Sequence, residues 1–334
     1  MITAELRRAI AAAAGQDDAD PLLRPGPVPG SYASSLPFRL AQGSGQDPRE
    51  AAAVLAARLG GQPWVAAAQV TGPGYLTVTV THDALAGLAV RIARAGPACA
   101  ASDALRGRTV TGPAGVDLAA EPGWPGARAA LAAHLTAGLA AAAGATVLFS
   151  AERSMAPPSR PPPAVPGEAG SVAAAVDYAG ADAVRFALAR TPPGGVPPPA
   201  SAIARHLLTN PAYAVRYAHA AAAAVLRWAA SVGAGPAGPE EFRPRQLAGP
   251  EELALLDALS WLPERAAVAA RRGRPGEFAG YLAELAARTI DTMSTTSFTK
   301  VPDISSERLW LADAARTGLA AGLGLLGIAA PSRI

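Results

Sequence analysis

Apolar and polar positions along this chain fall into long helical stretches broken by proline and glycine, with one short region of strict alternation. Residues 1–23 read as a helix and Arg24-Pro-Gly-Pro-Val-Pro-Gly30 as a turn-rich connection. Asp47 before Pro48 marks a second helix start, predicted to run to about Leu59. An Asp oxygen can accept from the free first-turn amides, and proline at the first helical position forfeits no hydrogen bond. Val65 to Val70 and Tyr75 to Val80 flank Gly72-Pro73-Gly74, and Leu76, Val78 and Val80 alternate with threonines as a half-buried strand does. A helix over 83–94, a strand over 108–111, an alanine-rich helix and a strand over 145–149 follow. Further helices are predicted at 172–190, 200–209, 211–231, 251–271, 275–295 and 306–326. This order predicts a multi-domain α+β protein. It comprises a small α/β N-terminal domain (1–106), a strand-helix-strand unit (107–154), a proline-rich linker (155–170) and a C-terminal all-α bundle (171–334). Prolines withdraw hydrogen-bond donors, so the linker reads as a boundary between parts that fold independently.

Composition sharpens this picture only slightly. Half the residues are hydrophobic but only 5% are aromatic, so the cores are expected to be helical and alanine-rich. The net charge of +3 does not single out a nucleic-acid binder, and Lys300 is the only lysine. Cys99 is the only cysteine, which excludes an intramolecular disulfide and a cysteine-based metal site and suits a reducing cytoplasm. The stretch 129–150 lacks Asp, Glu, Lys and Arg, is mostly Ala, Gly and Thr with His134 among them, and changes to a strand pattern. It therefore reads as helix then strand, not as a membrane span, and the N-terminus lacks a signal-peptide pattern.

The informative stretch is Asn210-Pro-Ala-Tyr-Ala-Val-Arg-Tyr-Ala-His-Ala220. Asn210 is placed to cap a helix begun by Pro211, with Tyr213 and Tyr217 four apart on one face and Arg216 and His219 beside them. Together with Asp182-Ala-Val-Arg185 and the tail Gly318–Arg333, it resembles the anticodon-binding domain of the arginyl-tRNA synthetases and its "DALR" helix. The N-terminal pieces (Ser31–Leu40, Asp47–Glu50, Gly72–Tyr75) resemble that family's N-terminal additional domain. In that domain an aromatic corresponding to Tyr75 faces tRNA; Thr77 and Ser35 stand where the family has asparagines.

The resemblance implies that residues 107–154 are a vestige of the Rossmann catalytic domain. Gly123 and Gly126 replace the two histidines that stabilise ATP phosphates there, and no lysine loop precedes the DALR helix. In the recognition helix, Ala214 and Ala221 replace a tyrosine and an arginine. The implied function is non-catalytic binding of tRNA, tRNA-Arg or a tRNA-like RNA, through Tyr217, Arg216, Tyr213, Tyr75 and Asn210. No catalytic residue, cofactor, metal, membrane or DNA is expected. Two alternatives stand beside it: an ATP-dependent arginine-tRNA ligase activity, retained or completed by a partner, and a regulatory protein-interaction scaffold whose RNA surface has decayed.

Overall fold

The computed structural model describes residues 1–16, 19–150, 171–192, 194–299 and 304–334. Its first helix, α1 (Ile2–Ala14), stops well short of residue 23. Gly15 turns left-handed (φ 66°), a conformation open to glycine, and its amide bonds back to the Ala12 carbonyl. The expected turn at 24–30 is part of a hairpin, because β1 (Leu23–Pro25) pairs antiparallel with β2 (Ser31–Ser34). Helix α2 (Leu36–Ser44) follows, and α3 (Pro48–Leu59) begins where Asp47 accepts from the Arg49 amide at 2.8 Å. β3 (Val65–Thr71) and β4 (Tyr75–Val80) complete an antiparallel sheet in the order β1-β2-β4-β3. Leu76, Val78 and Val80 point inward as their alternation predicts, onto a core shared with Tyr32, Ile2, Leu6 and Leu55. Helices α4 (His82–Ala86) and α5 (Leu88–Ala95) lead out of this layer.

The middle unit is β5 (Thr109–Pro113), α6 (Trp124–Ala142) and β6 (Thr146–Ser150), with the two strands parallel. Gly112 lets helix and sheet approach closely, since a Cβ there would lie 2.6 Å from that of Ala137. The charge-free stretch is thus helix then strand. No helix among the described residues is long and apolar enough to cross a membrane.

The C-terminal bundle departs from expectation at three helices. The stretch 172–190 is two helices, α7 (Val172–Ala179) and α8 (Ala181–Arg190), because Gly180 between them adopts φ 84°, ψ 146°. The helix expected over 200–209 is only one turn, α9 (Ala200–Ile203). The stretch 251–271 is broken at Trp261 into α11 (Pro250–Ser260) and α12 (Leu262–Arg272), since Pro263 has no N–H to continue the ladder. Helices α10 (Pro211–Ser231), α13 (Pro275–Met293), α14 (Thr296–Thr299) and α15 (Ser306–Leu325) complete the bundle. The proline-rich segment 155–170 and Lys300 lie outside the described residues.

On either side of that segment the parts are joined by buried polar contacts. The break at Trp261 leaves the last carbonyls of α11 unpaired within the helix, and that of Ser260 accepts from Thr3 Oγ1 at 2.7 Å. The Ser260 hydroxyl meets Tyr32 Oη at 2.8 Å, while the Gly30 amide donates to Asp257 Oδ1 at 2.9 Å. Arg7 of α1 donates to both carboxylate oxygens of Glu264 at 2.6 Å and to Asp20 at 2.9 Å; Asp20 also pairs with Arg271. Tyr32 packs its ring on Trp261 with centroids 5.3 Å apart.

Helix α15 approaches its neighbours through bare glycine faces. A Cβ on Gly322 would lie 2.4 Å from a methyl of the fully buried Leu282, whereas one on Gly324 meets open space. Gly324→Ala should therefore raise stability by up to about 1 kcal/mol through helix propensity alone. Gly322→Ala gains the same propensity but overpacks by about 1–3 kcal/mol, for a net loss. Urea denaturation of the two variants checks the opposite signs.

Candidate nucleic-acid interface

The start of α10 is built by Asn210. Its Oδ1 accepts from the Ala212 amide at 3.2 Å, and its Nδ2 donates to the carbonyls of Ile203 (2.9 Å) and Arg205 (2.7 Å). This side chain thereby folds the loop between α9 and α10, with both amide protons engaged. The folded loop brings His206, which sequence spacing does not connect to α10, onto Tyr213. The two rings stack at 5.2 Å and 11°, and Tyr213 in turn lies 5.8 Å from Tyr217 at 30°.

The result is a column of three rings. Tyr213 is its half-buried middle, and Tyr217, 36% exposed, is its open end. Arg216 lies beside it, half-buried, with an Nε that has no partner among the described residues. Ala214, where a second tyrosine was expected by resemblance, faces inward and is buried.

His219 does not join this surface, contrary to the expectation that it lies beside the tyrosines. It is buried and bonds through Nδ1 to the Pro331 carbonyl at 2.8 Å; burial holds its pKa below the ordinary value, so the neutral ring donates. Arg227 Nη1 donates to the Ser332 carbonyl at 2.6 Å, so the C-terminal tail runs along α10. The Asp182–Arg185 element holds the same tail. Asp182 accepts from the Ala329 amide at 3.2 Å, and Arg185 lies against Gly327 while donating to the Val116 carbonyl at 3.4 Å. The residues that carried the motif are therefore structural ties, and the exposed rings sit on α10.

In the N-terminal layer Tyr75 is half-buried and meets Phe38 edge-on at 4.9 Å. Thr77 is buried, with its hydroxyl 2.8 Å from that of Thr71, so it offers nothing outward.

At the start of α6, Gly123 caps without a side chain and Pro125 occupies the first turn. A Glu121 carboxylate oxygen lies 3.4 Å from where a Cβ of Gly126 would be, and Arg128 donates to the carbonyls of Pro192 (2.8 Å) and Gly195 (3.4 Å). The positive end of this helix dipole thus faces a carboxylate of the chain itself. Among the described residues no group of His, Cys, Asp or Glu could hold a metal ion.

Comparison with known proteins bears directly on this surface. Residues 1–80 match the arginyl tRNA synthetase N terminal domain, and residues 215–334 match the DALR anticodon binding domain. The chain is a relative of the arginyl-tRNA synthetases. Arg216 and Tyr217 lie inside the second match and Tyr75 inside the first; Asn210 and Tyr213 lie just before the second, and Asp182–Arg185 lies further upstream of it. The chain is 36% identical over 165 residues to the arginine–tRNA ligases of Clavibacter sepedonicus and of Kineococcus radiotolerans. That stretch is 48% of this chain but only 29% of either relative. The fold matches that of the Thermus thermophilus arginyl-tRNA synthetase over the whole chain, with a TM-score of 0.71 at 16% identity.

Proposed function

We propose that this protein binds tRNA, tRNA-Arg by preference, without aminoacylating it. The observation that carries the reading is the open Tyr217 face at the end of a preassembled ring column, with the Arg216 guanidinium beside it. Unpaired bases of an RNA loop are read by stacking on such rings, and neighbouring cations hold the backbone. The preference for tRNA-Arg rests on the relatives, which are arginine–tRNA ligases.

The absence of catalysis is supported by the middle unit, read as a remnant of the synthetase catalytic domain. Forming an adenylate requires donors placed in advance around the transferring phosphates. Gly123 and Gly126 have no side chains to supply them, Glu121 lies where an anion would otherwise gather, and Arg128 is engaged by carbonyls. Titration with labelled tRNA-Arg should show salt-dependent binding, while arginine-dependent ATP–pyrophosphate exchange and arginyl-tRNA formation stay at the level of a no-enzyme control. Arginylation above that level would establish the ligase alternative, and no binding at low salt would favour the decayed scaffold.

A further inference from the structure

Beyond the ring column, the exposed face of α10 carries a feature that the proposed function leaves unused. Trp228 is 45% exposed, more than Tyr217. It follows Arg227 as Tyr217 follows Arg216, so the pair Arg–aromatic occurs twice on one helix, eleven residues apart. At about 100° per residue, eleven residues return to within about 20° of the starting azimuth, and at 1.5 Å per residue they advance about 16 Å. Tyr217 and Trp228 therefore share one rail, and Arg216 and Arg227 share a second rail beside it. Between the rings the aromatic rail carries only Ala221 and Ala224, so no side chain rises to block a ligand lying along it.

The surrounding charge selects the ligand. Residues 206–239 contain no Asp or Glu, and neither does the chain after Asp313, whose tail borders the arginine rail through Ser332 and Pro331. The aromatic rail alone would suit a second apolar helix. A second copy packed antiparallel would however bring Arg216 against Arg227 with no acidic partner from either helix, whereas a polyanion with stacking faces satisfies both rails.

We propose that Arg227 and Trp228 form a second nucleotide-binding pair, so that α10 takes one strand of unpaired RNA along its length. One base stacks on Tyr217 and another on Trp228, with phosphates on the two arginines. The separation corresponds to about five base steps of a stacked strand at about 3.4 Å each, so no single nucleotide spans both. The hydrogen bond from Arg227 to the Ser332 carbonyl orients its guanidinium and leaves further N–H groups free for a phosphate.

This inference rests on the RNA-binding reading above, and the test separates the two. The full-length chain and its Tyr217→Ala, Trp228→Ala and Trp228→Phe variants are titrated with a labelled anticodon stem-loop of tRNA-Arg and with oligouridine. Circular dichroism verifies each fold. Trp228→Ala should weaken binding about tenfold, Trp228→Phe should restore most of it, and quenching of tryptophan fluorescence on RNA addition should be diminished in both variants. If Trp228→Ala binds like the parent while Tyr217→Ala does not, the second pair is idle and the inference falls while the proposed function stands. If neither substitution matters, the RNA-binding reading falls with it. Unchanged RNA binding together with a lower sedimenting mass for Trp228→Ala would instead assign the rail to contacts between copies and overturn the inference.

Discussion

Glu264→Ala is expected to destabilise the fold by about 3–5 kcal/mol, the range for removing one partner of a buried ion pair. The Arg7 and Glu264 side chains are 9% and 4% exposed, and a single guanidinium nitrogen of Arg7 reaches both carboxylate oxygens. Without Glu264 the arginine keeps only Asp20, and its Nε already lacks a partner. The double variant Arg7→Leu, Glu264→Leu should recover most of the loss, because apolar side chains of similar volume often replace such a pair without penalty. The pair joins α1 to α12, so both parts of the chain should unfold in one urea transition followed by circular dichroism and tryptophan fluorescence. A Glu264→Ala variant within 1 kcal/mol of the parent would mean that the junction is not sealed from water.

Asp20 adds a pH dependence of known sign. Burial opposes its ionisation, but the charge of Arg7, the hydrogen bond from the Leu22 amide and the charge of Arg271 together outweigh that and hold its pKa below the ordinary aspartate value. Its contribution is present above the ordinary aspartate range and is lost as pH falls through the depressed value. Arg7→Leu should flatten that acid limb.

Tyr217→Ala is expected to weaken tRNA-Arg binding by about tenfold or more. Loss of base–aromatic stacking costs about 1–3 kcal/mol per base, and about 1.4 kcal/mol is a factor of ten. The ring is the open end of the column, so its removal leaves Tyr213 and His206 in place and spares the core. Arg216→Ala acts differently. As a phosphate contact it should lower the salt slope of binding by about 0.7–1 without changing which RNA is preferred. Titrations at several salt concentrations distinguish the two, and parental affinity for Tyr217→Ala would make the decayed-scaffold reading the better one.

What the sequence by itself determined is what atoms within a few residues decide. Asp47 and Asn210 cap the helices they were expected to cap, and β4 turns its alternate apolar residues inward. Tertiary structure decided which of these features face solvent and which face one another. Asn210 is drawn wholly into holding its loop, and His206 reaches Tyr213 only because that loop folds. His219 turns to the C-terminal tail, and the Asp182–Arg185 element ties that tail and the middle unit to the bundle. The junction of Thr3, Arg7 and Tyr32 with Ser260 and Glu264 joins positions more than two hundred residues apart. No local pattern encodes such pairings, because a buried polar group takes whichever partner the packed faces bring within hydrogen-bond reach.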